Sequence, residues 1–331
     1  MKKYLVIQTA SIGDVILSTS IGEKLKAHDP NCQVDYLIKK GNEGVFYGNM
    51  EINEVIIWDK KNEKYKNMLR IIFQIRDEKY DAVMNLQRFF SSGVFTIFSG
   101  AKKKFGFRKN PLSFFFSKSF KHEFKEGWHE IDRNHQLISS FTDNKPALPK
   151  LYPTKREFAK MSPYKTNSYI TITPASLWFT KQYPKEKWLK FINKLDSSIY
   201  IYFLGGPADK NLCQSIITES KRQNMLNFAG KLNFVESAAL MRDALMNYVN
   251  DSAAQHIASS VNAKITSVFC STVSEFGFGP LSTDSCIVQS NKELNCRPCG
   301  LHGHKSCPEK HFKCALNINT EQLLNRLNNE K

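Results

Sequence analysis

Four short stretches of this sequence gather hydroxyls, carboxylates or a lysine where an apolar strand-like run gives way to a turn. The first is Thr9-Ala10-Ser11-Ile12-Gly13-Asp14, after the apolar run Tyr4-Leu5-Val6-Ile7. In open α/β sheets ligands sit at the carboxyl ends of strands, so this turn is where a site belongs. Gly13 lets backbone approach a substrate closely. Asp14 sets a carboxylate at a helix start. It reads either as a catalytic group or as a residue that stabilises the helix by capping and dipole effects alone. The second stretch runs from Pro174 to Pro184 and holds Ser176, Thr180 and Lys181. Hydroxyls and a lysine in a strand-to-helix loop suit a phosphate; a solvated loop lysine is the plain alternative. The third is Asn250-Asp251-Ser252-Ala253-Ala254-Gln255-His256. Asp251 and Ser252 open a helix whose first N–H groups suit an anion, and His256 lies one turn later on the same face. It also reads as an N-cap followed by an ordinary helix histidine. The fourth, Gly205-Gly206-Pro207-Ala208-Asp209, is a strand-end turn whose acid suits ribose hydroxyls, or a turn and nothing more.

These stretches need a scaffold, and the apolar periodicity supplies one. Helical spacing of Val15, Ile16, Ile21 and Leu25 predicts a helix over 14–28, between strands at 4–7 and 34–38. Further strands are expected at 54–58 and 82–86, with an amphipathic helix over 66–79. The rhythm breaks over 101–128. A proline-containing linker is expected over 146–163. The alternation then restarts, with strands at 169–173, 200–204, 226–228, 248–250 and 265–269. Helices are expected at 185–195, 236–244, 253–261 and 320–327. Strands alternating with helices imply parallel βαβ units, here two doubly wound domains, 1–150 and 151–331, facing a central cleft. A chain of 331 residues suits two such domains.

Charge narrows the partners. The chain carries 47 Lys and Arg against 31 Asp and Glu, a net +16, which points to a polyanion or to a basic or solubility bias of the proteome. Residues 101–125 hold eight Lys or Arg against one acid, interleaved with Phe105, Phe107, Phe114, Phe115, Phe116 and Phe120. That mixture suits a membrane surface bearing phosphorylated lipid, or single-stranded nucleic acid, or a loop whose phenylalanines pack inward. The apolar start is too short for a secretory signal, and no stretch approaches the ~18 apolar residues of a spanning helix. A cytoplasmic protein with at most peripheral membrane contact is expected, its eight cysteines reduced. The tail Cys296-x2-Cys299-x7-Cys307-x6-Cys314, with His302, His304 and His311, suits structural zinc, packed free thiols or a disulfide.

The order of these motifs resembles glycosyltransferase family 9, the ADP-heptose–lipopolysaccharide heptosyltransferases. The resemblance rests on Ser11-Ile12-Gly13-Asp14-Val15, the Thr180-Lys181…Pro184 loop, the Gly-Gly-Pro-Ala-Asp turn, Ala229-Gly230-Lys231-Leu232, Asn250-Asp251-Ser252…His256 and the cysteine tail. It spans nearly the whole chain and is weakest over about 40–165. It implies a GT-B fold, acceptor on the first domain, donor on the second, and inverting transfer that needs neither metal nor cofactor. On that resemblance Asp14 is the general base, with Ser11 and Gly13 on the acceptor side. Thr180 and Lys181 contact the diphosphate, and Asp251, Ser252, Ala253 and His256 cradle donor phosphate and sugar. Asp209 meets ribose and the Leu232 region meets adenine. Gln8 stands where the family usually has Arg, and Ala253 where it usually has Gly. The partners implied are an ADP-sugar and an anionic lipopolysaccharide precursor at the inner face of the inner membrane. Within the fold, another nucleotide sugar or an epimerase is the alternative. A polyanion- or nucleic-acid-binding module leaves the ordered loops of both halves unexplained, so no nucleic-acid partner is expected.

Overall fold

The computed structural model describes residues 1–328, which divide into two compact units, Met1–Tyr152 and Pro153 onward. The first unit runs β1 (Lys3–Gln8), α1 (Ile12–His28), β2 (Gln33–Lys39), β3 (Glu54–Trp58), α2 (Lys64–Asp77), β4 (Ala82–Asn85), α3 (Phe90–Phe98), β5 (Lys103–Phe107), β6 (Lys118–Phe120) and α4 (Glu130–His135). Its six strands are all parallel, in the order β3-β2-β1-β4-β5-β6. Strands covered on both faces read as continuous apolar runs, and Leu5, Val6 and Ile7 are fully buried. Trp58 meets Phe95 edge-on with ring centroids 5.0 Å apart, joining β3 to α3 in the core. Helix α1 lies close against β2. A Cβ at Gly22 would sit 2.9 Å from Tyr36 Oη, and the Gly22 N–H donates to that oxygen at 3.0 Å.

The second unit runs α5 (Lys155–Met161), β7 (Tyr169–Thr173), α6 (Lys185–Ile192), β8 (Tyr200–Phe203), α7 (Lys210–Glu219), β9 (Met225–Asn227), α8 (Phe234–Arg242), β10 (Asn247–Asn250), α9 (Ala253–Ser259), β11 (Ile265–Phe269), β12 (Ser285–Gln289), α10 (Lys313–Leu316) and α11 (Glu321–Asn328). Its sheet, β12-β11-β10-β7-β8-β9, is again parallel throughout and repeats the topology of the first. The core is Ile170, Ile172, Trp188, Phe191, Tyr248 and Val268, closed by Leu323 and Leu327 from α11. The expected domain 151–331 ends in residues 329–331, outside the described ones.

Several elements differ from expectation. Helix α1 begins at Ile12, so Gly13 and Asp14 lie inside its first turn. The span 101–128 contains β5 and β6, the latter of three residues with no apolar alternation to announce it. The expected linker is partly structured. Lys150 N–H donates to Thr19 Oγ1 at 3.0 Å and Tyr152 Oη to Glu23 at 2.7 Å. Helix α5 then starts on a capping box in which Thr154 N–H donates to Glu157 at 2.9 Å.

Candidate active site

In each sheet the chain reverses its direction of winding beside the first strand, between β1 and β4 and between β7 and β10. Crevices at the carboxyl ends of such strand pairs are where doubly wound sheets take ligands. Three of the four stretches singled out above leave these strands: the Asp14 turn leaves β1, the Lys181 loop leaves β7 and the Asp251 turn leaves β10.

The Asp14 turn is held from several sides. Ser11 is the N-cap of α1, and its N–H donates to Asp14 Oδ2 at 3.2 Å while its hydroxyl donates to the same oxygen. Capping and catalytic readings of Asp14 are therefore compatible: the cap orients the half-exposed carboxylate. Lys60 Nζ donates to Thr9 O at 3.0 Å and Asn42 Nδ2 to Ala10 O at 3.1 Å. Lys60 is half-buried with its ammonium over the Trp58 ring; burial first, then Lys39 and Lys64, lowers its pKa. Gln8, buried, accepts from Ala10 N–H at 3.3 Å and from the Gln87 side chain beyond β4. Lys60, Asn42 and Gln87 escape a reading of the sequence. Their one signal is position, as polar residues just past the ends of β3, β2 and β4.

In the second unit Lys181 Nζ lies 2.7 Å from Asp251 Oδ2, and both side chains are largely buried. Thr272 Oγ1 donates to the same carboxylate oxygen at 2.6 Å. Asn250 ties the two loops: its Nδ2 donates to Pro174 O at 2.7 Å and its Oδ1 accepts from Tyr183 N–H at 3.0 Å. The buried hydroxyl oxygens of Thr173, at the end of β7, and of Ser252, the N-cap of α9, have no hydrogen-bond partner among the described residues. Buried hydroxyls are normally satisfied, so two such groups at one switch point mark a place for a polar ligand. Thr173 is the residue that sequence reasoning passed over, being one more β-branched strand residue.

Thr180 is buried with its hydroxyl engaged. It accepts from Ser271 Oγ at 3.0 Å and from His304 N–H at 2.8 Å. Gly303 permits this approach, since a Cβ there would lie 2.7 Å from Thr180 Oγ1. Arg297 anchors the same tail, donating to Cys270 O at 2.9 Å and Thr272 O at 2.8 Å. His256 is buried in α9, and Ala253 is partly buried at its first position. Asp209 turns back on its own loop, accepting from Gly206 N–H at 2.7 Å. Gly230 holds φ +76° where a Cβ would meet Pro207 Cα at 2.9 Å. Leu232 is partly buried just before α8.

The cysteine tail forms no disulfide. Cys296 Sγ lies 4.0 Å from His311 Nε2, and burial, then neighbouring Cys307 and Cys296, pushes Cys314 up to about 11. Among the described residues no three His, Cys, Asp or Glu side chains are arranged to hold a metal.

Known proteins share this architecture. The glycosyl transferase family 9 structure from Veillonella parvula DSM 2008 superposes with a TM-score of 0.87 at 20% identity, covering 100% of this chain and 98% of that one. The E. coli ADP-heptose lipopolysaccharide heptosyltransferase II superposes with a TM-score of 0.82 at 18% identity, over 99% and 98%. These likenesses show the GT-B fold. Lipopolysaccharide heptosyltransferase 3 of Escherichia coli (strain K12) is 26% identical over 280 residues, 78% of this chain and 80% of its own length. Glycosyltransferase family 9 (heptosyltransferase) matches residues 68–312, a span that holds the Lys181 and Asp251 loops and leaves the Asp14 turn outside. With most of its length in that match, the chain belongs to glycosyltransferase family 9, the heptosyltransferases, and is a glycosyltransferase.

Proposed function

We propose that this enzyme moves a heptose from ADP-heptose to the inner core of a lipopolysaccharide precursor, with inversion and without a metal ion. The observation that carries the donor half is the Lys181–Asp251 pair beside the unpartnered hydroxyls of Thr173 and Ser252. A lysine and two hydroxyl donors at a strand-end crevice suit a diphosphate. ADP-heptose is favoured by the kinship with lipopolysaccharide heptosyltransferases. Asp209 is assigned to ribose and the Leu232 region to adenine.

In the reaction the acceptor hydroxyl attacks the anomeric carbon and gives its proton to the Asp14 carboxylate. The new C–O bond forms as the bond to the diphosphate breaks, and the electron pair leaves on ADP. Lys181 and the Ser252 hydroxyl offset the charge that develops there. Asp251 holds Lys181 in place, Thr180 fixes the loop through Ser271 and His304, and His256 and Ala253 complete the sugar cradle. Ser11 and Gly13 face the acceptor. The acceptor is anionic and lipid-linked, so the enzyme works peripherally at the inner face of the inner membrane. No helix among the described residues is long and apolar enough to cross a membrane.

Thermal shift with ADP, UDP, GDP and CMP, in the presence of chelator, tests the donor assignment, because a ligand that binds only the native state raises its melting temperature. ADP is expected to give the largest shift. A larger shift with UDP would assign the enzyme another nucleotide sugar.

A further inference from the structure

The basic, aromatic segment of the first unit is divided by the fold. Lys103 pairs with Ala82 at the start of β4, and Lys102 bonds Asp81 at 2.7 Å, so Lys102 to Lys104 lie at the amino edge of the sheet. Arg108, Lys109 and the turn containing Phe114 and Phe115 follow the carboxyl end of β5, about 13 Å further along at ~3.3 Å per residue. That second edge is the one that carries the Asp14 turn.

At this edge two segments join into one ridge. Asn110 Nδ2 donates to Gln87 O and Phe89 O, both at 3.0 Å, and Gly93 of α3 leaves room for Leu112, whose Cβ would be 3.0 Å from a Cβ there. The ridge presents Phe89, Phe90, Phe114 and Phe115 at 50%, 61%, 74% and 58% exposure, with the last two rings 4.1 Å apart. Exposed Arg88, Arg108 and Lys109 rim it, Arg88 with its guanidinium 5.5 Å from the Phe89 ring centre. Glu123, the acid of this segment, is taken up by Lys121 at 3.3 Å and Lys125 at 3.7 Å. Contiguous exposed aromatics mark an interaction site, and a rim of cations selects an anionic partner. Rings that enter the interface while cations meet headgroups suit a lipid bilayer.

We infer that Phe89, Phe90, Phe114 and Phe115, rimmed by Arg88, Arg108 and Lys109, insert into an anionic bilayer surface and hold the Asp14 turn next to it. The link to the turn is physical: the Gln87 side chain bonds the Gln8 side chain directly below Thr9. The purpose of docking rests on the lipid-linked acceptor proposed above; the docking itself does not.

The test is co-sedimentation of the full chain with vesicles of phosphatidylglycerol and phosphatidylethanolamine, against vesicles of phosphatidylcholine. Wild type is expected on the anionic vesicles. Phe114→Ser/Phe115→Ser should lower partitioning by at least about tenfold at low and high salt alike. Arg88→Ser/Arg108→Ser/Lys109→Ser should lower it at low salt, the difference shrinking as salt rises. Lys102→Ser/Lys103→Ser should stay within about twofold of wild type, its charges lying at the other edge. Unchanged melting temperatures certify the folds. Vesicle binding that survives Phe114→Ser/Phe115→Ser, or that falls equally in Lys102→Ser/Lys103→Ser, overturns the inference. So does a wild type that ignores vesicles and sediments as a dimer which the double serine variant dissolves. Transfer from ADP-heptose to a short delipidated acceptor is read in parallel. Its absence with vesicle binding intact would defeat the proposed reaction and leave the docking surface standing.

Discussion

At the scale of single residues, the proposed site gives side chains that already have a structural partner a second, chemical duty. Asp14 caps α1 and is proposed to take a proton. Asn keeps an acceptor oxygen for the Ser11 N–H, so the helix start survives Asp14→Asn while the base does not. That variant is expected to lose on the order of 10²–10⁴ in turnover with little change in melting temperature or ADP affinity. Retention of more than about a tenth of wild-type turnover would leave capping as its whole role. Lys181 likewise satisfies Asp251 and is proposed to meet the diphosphate. Lys181→Met leaves a largely buried carboxylate without its cation, which costs about 3–5 kcal/mol, and should abolish the ADP-induced thermal shift. Lys181→Met/Asp251→Asn should recover most of the stability and none of the shift. A double variant that binds ADP normally would remove Lys181 from the donor site.

At the scale of elements, α4 shows how the first unit carries charge inside. Arg133 is fully buried and its Nε donates to Glu130 at 2.7 Å, while His122 Nε2 sits 3.1 Å from both Glu130 oxygens. Burial pushes the Glu130 carboxyl up, but the His122 hydrogen bond and the charges of His122 and Arg133 outweigh it and hold its pKa below the ordinary glutamate value. A depressed carboxylate contributes stability above its unfolded pKa, and that contribution fades as pH falls through the folded value, which here lies below the ordinary glutamate range. Arg133→Ala is expected to cost up to about 3–5 kcal/mol at neutral pH, since it leaves buried Glu130 with His122 as its remaining ionisable partner. Glu130→Gln/Arg133→Met should cost far less and flatten the loss of stability as pH falls through and below the ordinary glutamate range in urea melts. Equal acid slopes for wild type and double variant would show that Glu130 does not set the acid limit.

At the scale of the whole molecule, two sheets of one topology divide the proposed work. Donor recognition is assigned to the second unit and proton removal to the first. Hydrogen exchange measured with and without ADP separates these roles. Protection should rise over 174–184 and 250–256 and stay unchanged over 9–15. Protection confined to 9–15 would place the nucleotide on the first unit. The net charge of +16 gives the whole chain an attraction to anionic surfaces, and the exposed phenylalanines decide which edge is placed there.

The parallel α/β class and the turns holding Asp14, Lys181 and Asp251 were legible in the chain itself. Strand, turn and helix are local patterns, and in a doubly wound sheet the position of a site follows from that local order. The element boundaries were less legible: α1 starts two residues early, and β6 forms because β5 offers it an edge rather than from its own three residues. What the tertiary structure alone decided is convergence. It set Lys181 against Asp251, brought the Thr173 and Ser252 hydroxyls to one switch point, tied Gln87 to Gln8, and sent Lys102 to Lys104 and the exposed Phe114 and Phe115 of one basic segment to opposite edges of a sheet. The physical reason is strand register. Which residues meet at a sheet edge depends on how non-adjacent strands align across crossover connections, and no local pattern of residues carries that alignment.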